Sequence, residues 1–157
     1  MKNNEVIQLV NAGILGITAH SLPPAQAYKI YKFKKAIRSA YNLIAEGEIA
    51  SLEELGINDA KAFDARLEQL RKIEVPLPKQ VEELNAKQGI LDRLNEVRNS
   101  LYTDDAILPE IKAIPYEDWH KLQEENSQNK VGKHTVDVLS GEVEFLLEGI
   151  LWTPIED

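Results

Sequence analysis

Residues 24–45, PAQAYKIYKFKKAIRSAYNLIA, can bury one face and only one. Ile30, Phe33, Ile37, Ala40 and Ile44 recur at alternating spacings of three and four, the period of an amphipathic helix, with Ala36, Tyr41 and Leu43 widening the stripe. Such a stripe must be covered, so the rest of the chain has to supply packing partners for it. Pro23 and Pro24 suit a first helical turn, where a missing N–H costs nothing, and Gly47 suits the end.

The other side of that helix is basic. Lys29, Lys32, Lys34, Lys35 and Arg38 fall within residues 24–45 with no acid among them, and at about 100° per residue most lie opposite the apolar stripe, beside Tyr28 and Tyr31. The chain holds 18 basic and 26 acidic residues, so setting those five cations aside leaves 13 bases against all 26 acids. A basic helix thus sits in an acidic protein. Two accounts fit: a solvated face whose lysines pair with carboxylates on neighbouring helices, or a docking surface for an acidic partner. A net charge of −8 would repel a polyanion at long range, which disfavours nucleic acid.

Helical periodicity runs through the remaining chain. Val6, Leu9, Val10, Ile14 and Ile17 predict a short first helix, capped by Asn3 or Asn4 and interrupted by Gly13 and Gly16. The short AHSLPP connection makes it an antiparallel partner of the basic helix. Ser51 and Glu54 form a capping-box pattern that predicts a separate helical turn. Asn58 or Asp59 caps a helix whose stripe is Ala60, Phe63, Leu67, Leu70 and Ile73, and the prolines of VPLP make an extended connector after it. A long helix follows over 79–102. Its apolar line shifts from Val81, Leu84 and Leu91 to Ile90, Leu94, Val97 and Leu101, with Gly89 at the change, which predicts a bend or a change of packing partner. Residues 103–115 read as a loop over the core, and 116–125 as a helix with Trp119 and Leu122 inward. Residues 125–134 read as a mobile loop. A last helix is capped by Ser140 and carries Val143, Leu146, Leu147, Ile150 and Leu151, with a short strand as the alternative over 135–139.

At 157 residues this is one domain with a sizeable core. No cysteine occurs, which excludes disulfides, thiol nucleophiles and cysteine metal sites. The apolar run over 6–17 is broken by Gln8 and Asn11 and supports neither a signal peptide nor a membrane span, so the expected location is the cytoplasm. No phosphate-cradling glycine loop, GxSxG, HExxH or calcium-loop pattern is present. His20, His120 and His134 lack metal-ligand spacing to one another. His120, near Glu117 and Asp118, and the pair Asp104 and Asp105 are the only candidates for acid–base chemistry; a surface role for the first and a turn or cap role for the second are the ordinary readings.

Leu22, Pro23 and Pro24, the run AYKIYKFKKA over 27–36, the segment FDARLEQLRKIEV over 63–75 and the tail LSGEVEFLLEGI over 139–150 resemble a loosely defined group of small helical proteins from phage and prophage genomes. The resemblance covers under a third of the chain. It implies an accessory protein of virion assembly or host interaction, acting in the host cytoplasm, and hands over no functional residue.

The expected architecture is a mainly α, single-domain helical bundle with an N-terminal antiparallel hairpin and a short extended segment near the C-terminus. The expected function is non-enzymatic binding of a protein partner, or self-association, through Tyr28, Tyr31, Lys32, Lys34, Lys35 and Arg38. No cofactor, metal, membrane or small-molecule substrate is indicated. The alternatives are a nucleic-acid-associated regulator using the same face, and a hydrolase using His120 and nearby carboxylates.

Overall fold

The computed structural model describes residues 1–127, 130–131, 134–135 and 144–153, and the fold is mainly α. Backbone contacts gather it into two compact units, Met1–Leu43 with Asp104–Asp157, and Ile44–Thr103. The basic stretch lies in α2, Pro24–Glu54, which contributes to both. No helix among the described residues is long and apolar enough to cross a membrane.

In the first unit, α1 spans Asn3–Asn11 and stops well before the end of its apolar pattern. Gly13, at φ 95°, breaks the helix, and a 3-10 turn over Ile14–Gly16 follows. Ile14 and Ile17 are still fully buried, so both reach the core from a turn instead of from the helix the spacing predicts. Neither Asn3 nor Asn4 is the cap: Lys2 holds that position, its backbone N–H donates to the Glu5 carboxylate at 2.6 Å, and Asn3 N–H donates to the Asp104 carbonyl at 2.9 Å. Along α2, the stripe Ile30, Phe33, Ala36, Ile37 and Ala40 is buried as the period requires, whereas Leu43 is 48% exposed.

The chain returns to this unit through residues 104–113, an irregular stretch, then β1, Ile114–Pro115, and α5, Tyr116–Asn126. Glu117 and Asp118 occupy the first turn of α5, where they favour the helix dipole, and Trp119 and Leu122 are fully buried. The tail does not form the long closing helix its spacing predicts. Here α6 is a single turn, Glu144–Leu147; Gly149, at φ 75°, ends it, and β4, Trp152–Thr153, pairs parallel to β1. The tail docks nonetheless, through fully buried Leu147 and Leu151 and through Trp152, whose ring stacks on Trp119 at 5.6 Å between centroids. Two further short strands, β2 (Lys130–Val131) and β3 (His134–Thr135), pair antiparallel. Lys130, Val131 and His134 fall within the predicted mobile loop, and Thr135 is the first residue of the strand predicted over 135–139. The Ser140 cap, Val143 and most of the alternative strand over 135–139 lie outside the described residues.

In the second unit α2 continues unbroken through Gly47 to Glu54, so the predicted stop at Gly47 and the separate capped turn at Ser51 do not exist. A Cβ at Gly47 would stand 3.3 Å from Leu101 Cδ1, so the glycine sits where two helices approach closely. Ser51, the supposed cap, turns its hydroxyl back to the Gly47 carbonyl at 2.8 Å. The true stop lies nine residues on, at Gly56. There Gly56 N–H donates to Glu53 O and Ile57 N–H to Leu52 O, the double closure of a Schellman motif, with Gly56 at φ 74° and Ile57 buried.

Next come α3, Ala60–Arg71, and α4, Pro78–Thr103. Asp59 caps α3 by accepting from Ala62 N–H at 3.0 Å. Pro78 occupies the first position of α4, and the Gln80 side chain accepts from Leu77 N–H at 2.8 Å. Leu67 and Leu70 on α3 and Leu94 on α4 are buried, while Val81 and Val97 are about two-fifths exposed (39% and 41%). Arg66 clamps the Glu83 carboxylate with two hydrogen bonds of 2.8 Å, and Arg98 meets Glu48 at 2.9 Å.

The glycines of this unit separate backbone effects cleanly. Gly89 sits in α4, where an added methyl would meet nothing within 4 Å, so Gly89→Ala should stabilise the protein by about 0.5–1 kcal/mol through helix propensity. Gly56→Ala forces a side chain into the left-handed region and should destabilise by about 1 kcal/mol. Urea denaturation of both variants checks the opposite signs.

Candidate functional site

A helical row along α2 places Tyr28, Lys32, Lys35 and Ser39 at successive spacings of four, three and four, with Tyr31 and Arg38 on the adjoining row. Tyr28 and Tyr31 are 57% and 60% exposed, and their rings stack at 6.4 Å with 17° between planes. Lys32 Nζ lies 4.8 Å over the Tyr28 ring, a cation–π contact that holds the ammonium at the surface beside the aromatic pair. Lys35 and Arg38 are exposed. Among the described residues, none of Lys32, Lys35 and Arg38 has a carboxylate within ion-pair distance.

Two cations of the stretch are used inside the unit. Lys34, predicted to belong to the partner face, instead donates to the Ile17 carbonyl at 2.7 Å. Burial lowers its pKa from the ordinary lysine value, and nearby Arg38 lowers it further. Lys29 Nζ donates to the Ala113 carbonyl at 3.3 Å. Among the described residues, the internal partners of Lys29 and Lys34 are backbone carbonyls, not carboxylates of neighbouring helices. The exposed face that remains is Tyr28, Tyr31, Lys32, Lys35 and Arg38.

Beside this face the 107–112 stretch forms the opposite wall of two adjoining hollows. One, of about 360 Å³, is lined by Lys32, Lys35, Ala36 and Ser39 from α2 and by Ile107, Pro109, Glu110 and Ile111. The other, also about 360 Å³, takes Ala25, Tyr28 and Lys29 from α2 and shares Lys32, Glu110 and Ile111, with Lys112 at its edge. Sequence reasoning missed this wall, because nothing along the chain links residues 107–112 to α2. The one signal was that Ile107, Ile111 and Ile114 recur at helical spacing in a stretch where Pro109 and Pro115 oppose a helix, which leaves their apolar side chains for another use; Ile107 is 77% exposed.

A polar clamp fixes the segment to which Lys34 is anchored. The Asn126 amide, 1% exposed, accepts from Thr18 N–H at 2.8 Å and donates to Thr18 O and Leu122 O, both at 2.8 Å. Glu125 accepts from Thr18 Oγ1 at 2.5 Å, from His20 N–H at 3.0 Å and from Ser21 N–H. Residues 125 and 126, expected at the start of a mobile loop, are thus the last turn of α5 and tie down 18–21. Desolvation pushes the Glu125 carboxyl up, but the hydrogen bonds from Thr18, Ser21 and His20 together outweigh it and hold the pKa below the ordinary glutamate value.

The candidates for catalysis stand apart. His120 Nε2 meets Glu124 at 3.3 Å, one turn along the same helix and largely in solvent. Asp105 pairs with Lys2 at 2.6 Å and is 81% exposed, and the Asp104 carbonyl accepts from Asn3. No group of three or more metal-ligating side chains converges among the described residues. No protein family, curated protein or solved structure matches this chain.

A carboxyl with a depressed folded-state pKa contributes stability that is complete above its unfolded pKa, about 4.3, and is lost as pH falls through the lower folded value. Glu125→Gln should therefore be less stable than the native protein at pH 7, with the gap closing below about pH 4 as the native carboxyl protonates. Urea midpoints measured across that range check it; a gap independent of pH would mean that the charge of Glu125 is irrelevant to the clamp.

Proposed function

We propose that this protein is a non-enzymatic interaction protein, of the phage or prophage accessory kind its resemblance implies, working in the cytoplasm and engaging a protein partner through Tyr28, Tyr31, Lys32, Lys35 and Arg38. One observation carries the reading: three cations and a stacked tyrosine pair are gathered on one exposed helical face, without carboxylate partners among the described residues, in a chain of net charge −8. In a protein with 26 acids, internal pairing of those cations was within easy reach; their concentration at the surface favours an external counterpart. The tyrosines add broad, rigid contact area at small entropic cost. His120 pairs with Glu124 and Asp105 with Lys2, each a local surface contact, which supports a binding role over a hydrolytic one.

Charge reversal tests it. Lys35→Glu with Arg38→Glu should reduce capture of the native-host partner by at least about tenfold. Both residues are exposed, so unfolding free energy should change by less than about 0.5 kcal/mol for each. Unfolding of the double variant would instead make the two cations internal structural partners. Retention on nucleic acid that weakens steeply with salt would replace the reading with the regulator alternative.

A further inference from the structure

Deepening that reading and resting on it, we infer that the two hollows beside α2 form one continuous groove that receives an extended peptide segment of a partner protein, with acidic side chains alternating with apolar ones. Three observations carry this. The hollows share Lys32, Glu110 and Ile111, so they adjoin. Together they follow α2 from Ala25 to Ser39, which at about 1.5 Å per residue is roughly 21 Å, the span of about six residues of extended chain at about 3.3 Å each. The walls differ in chemistry: Ile107, Pro109 and Ile111 offer apolar contact from the 107–112 side, while Lys32 and Lys35, with Ala36 beside them, line the α2 side, and Lys112 adds a cation at one end. An extended chain sends alternate side chains to opposite sides, so one set meets the apolar wall and the next meets the lysines.

Glu110 chooses between polyanions. Among the described residues it is the one acid lining either hollow, and it is shared by both. A nucleic-acid backbone carries a charge at every step and must bring a phosphate close to that carboxylate. A peptide can place an uncharged residue there and its acids to either side, opposite Lys32 and Lys35. Tyr28 lines the second hollow, and Tyr31 stacks on it.

The probe is a fluorescein-labelled peptide of roughly six alternating aspartates and leucines, titrated with the full chain and followed by fluorescence anisotropy, beside aspartate–glycine and lysine–leucine counterparts. Saturable binding of the aspartate–leucine peptide is expected, weakened about tenfold by Lys35→Glu and severalfold by Ile107→Ser, and unchanged by Lys61→Glu, an exposed charge reversal in the other unit. Because Ile107 is 77% exposed, Ile107→Ser leaves the fold intact while removing apolar contact without changing charge. Equal binding of the aspartate–glycine peptide, or indifference to Ile107→Ser, would overturn the groove and leave charge attraction alone. Failure of the groove is distinguishable from failure of the broader reading: native-partner capture sensitive to Arg38→Glu but not to Ile107→Ser means a flat protein-binding face, whereas capture sensitive to neither removes both.

Discussion

The first unit depends on one side-chain amide imitating a strand. Asn126 meets both hydrogen-bonding groups of Thr18, accepting from its N–H and donating to its carbonyl, as a neighbouring β-residue would, and its second N–H reaches back to Leu122 within its own helix. A buried loop otherwise carries peptide groups that water cannot reach, each costing about 1–3 kcal/mol if left unpaired. By satisfying that peptide from the end of α5, Asn126 lets the irregular segment after the 3-10 turn pass beside the core. Glu125 adds a charged acceptor, which makes stronger bonds, for the backbone N–H groups of His20 and Ser21 and for the Thr18 hydroxyl. Lys34 supplies the donor for Ile17. The face of α2 is thus oriented by polar contacts on one side and by the stripe of Ile30, Phe33 and Ile37 on the other.

The periodic part of this architecture was legible in the sequence. A stripe at 3.6-residue spacing is a direct consequence of helix geometry, so Ile30, Phe33, Ile37 and Ala40 are buried, as are Trp119 and Leu122. Glycine was not legible in the same way, because one residue type serves opposite ends. Gly47 permits close approach of Leu101 and leaves the helix intact, whereas Gly13, Gly56 and Gly149 adopt positive φ and end elements. Local sequence does not distinguish a glycine needed for its missing Cβ from one needed for its backbone freedom. At Gly47 the decision lies with Leu101, on a different helix and far along the chain.

Polar residues misled for a related reason. Glu125 and Asn126 open a run of polar residues that reads as loop, yet their partners are Thr18, His20 and Ser21, over a hundred positions upstream. Composition weighs such residues as solvent-seeking; burial with full hydrogen bonding is a property of the pair and is invisible in either half alone. Lys34 is the same case in reverse: on a helical wheel it belongs with Lys35 and Arg38, and a single carbonyl at Ile17 turns its ammonium away from the exposed face and leaves it half-buried. The wall formed by residues 107–112 was missed because the spacing of Ile107 and Ile111 is not used by a helix, and nothing local links the stretch to α2.

Charge placement carries the last step. An acidic chain that retains a cluster of cations on one helix accepts their mutual repulsion, which pairing with its own carboxylates would relieve. Within this protein such pairing occurs elsewhere, in the bidentate clamp of Arg66 on Glu83 and in Arg98 with Glu48, so the fold is well able to build it. On α2 the two cations that do find internal partners use carbonyls, which satisfy hydrogen bonds but leave the positive charge uncancelled. The field of all five therefore still acts at the surface, including from Lys29 and Lys34, whose ammonium groups are turned to the protein's own backbone. A partner recognised here would be drawn by more charge than the residues it contacts, and the contacts themselves would come from Lys32, Lys35, Arg38 and the tyrosines.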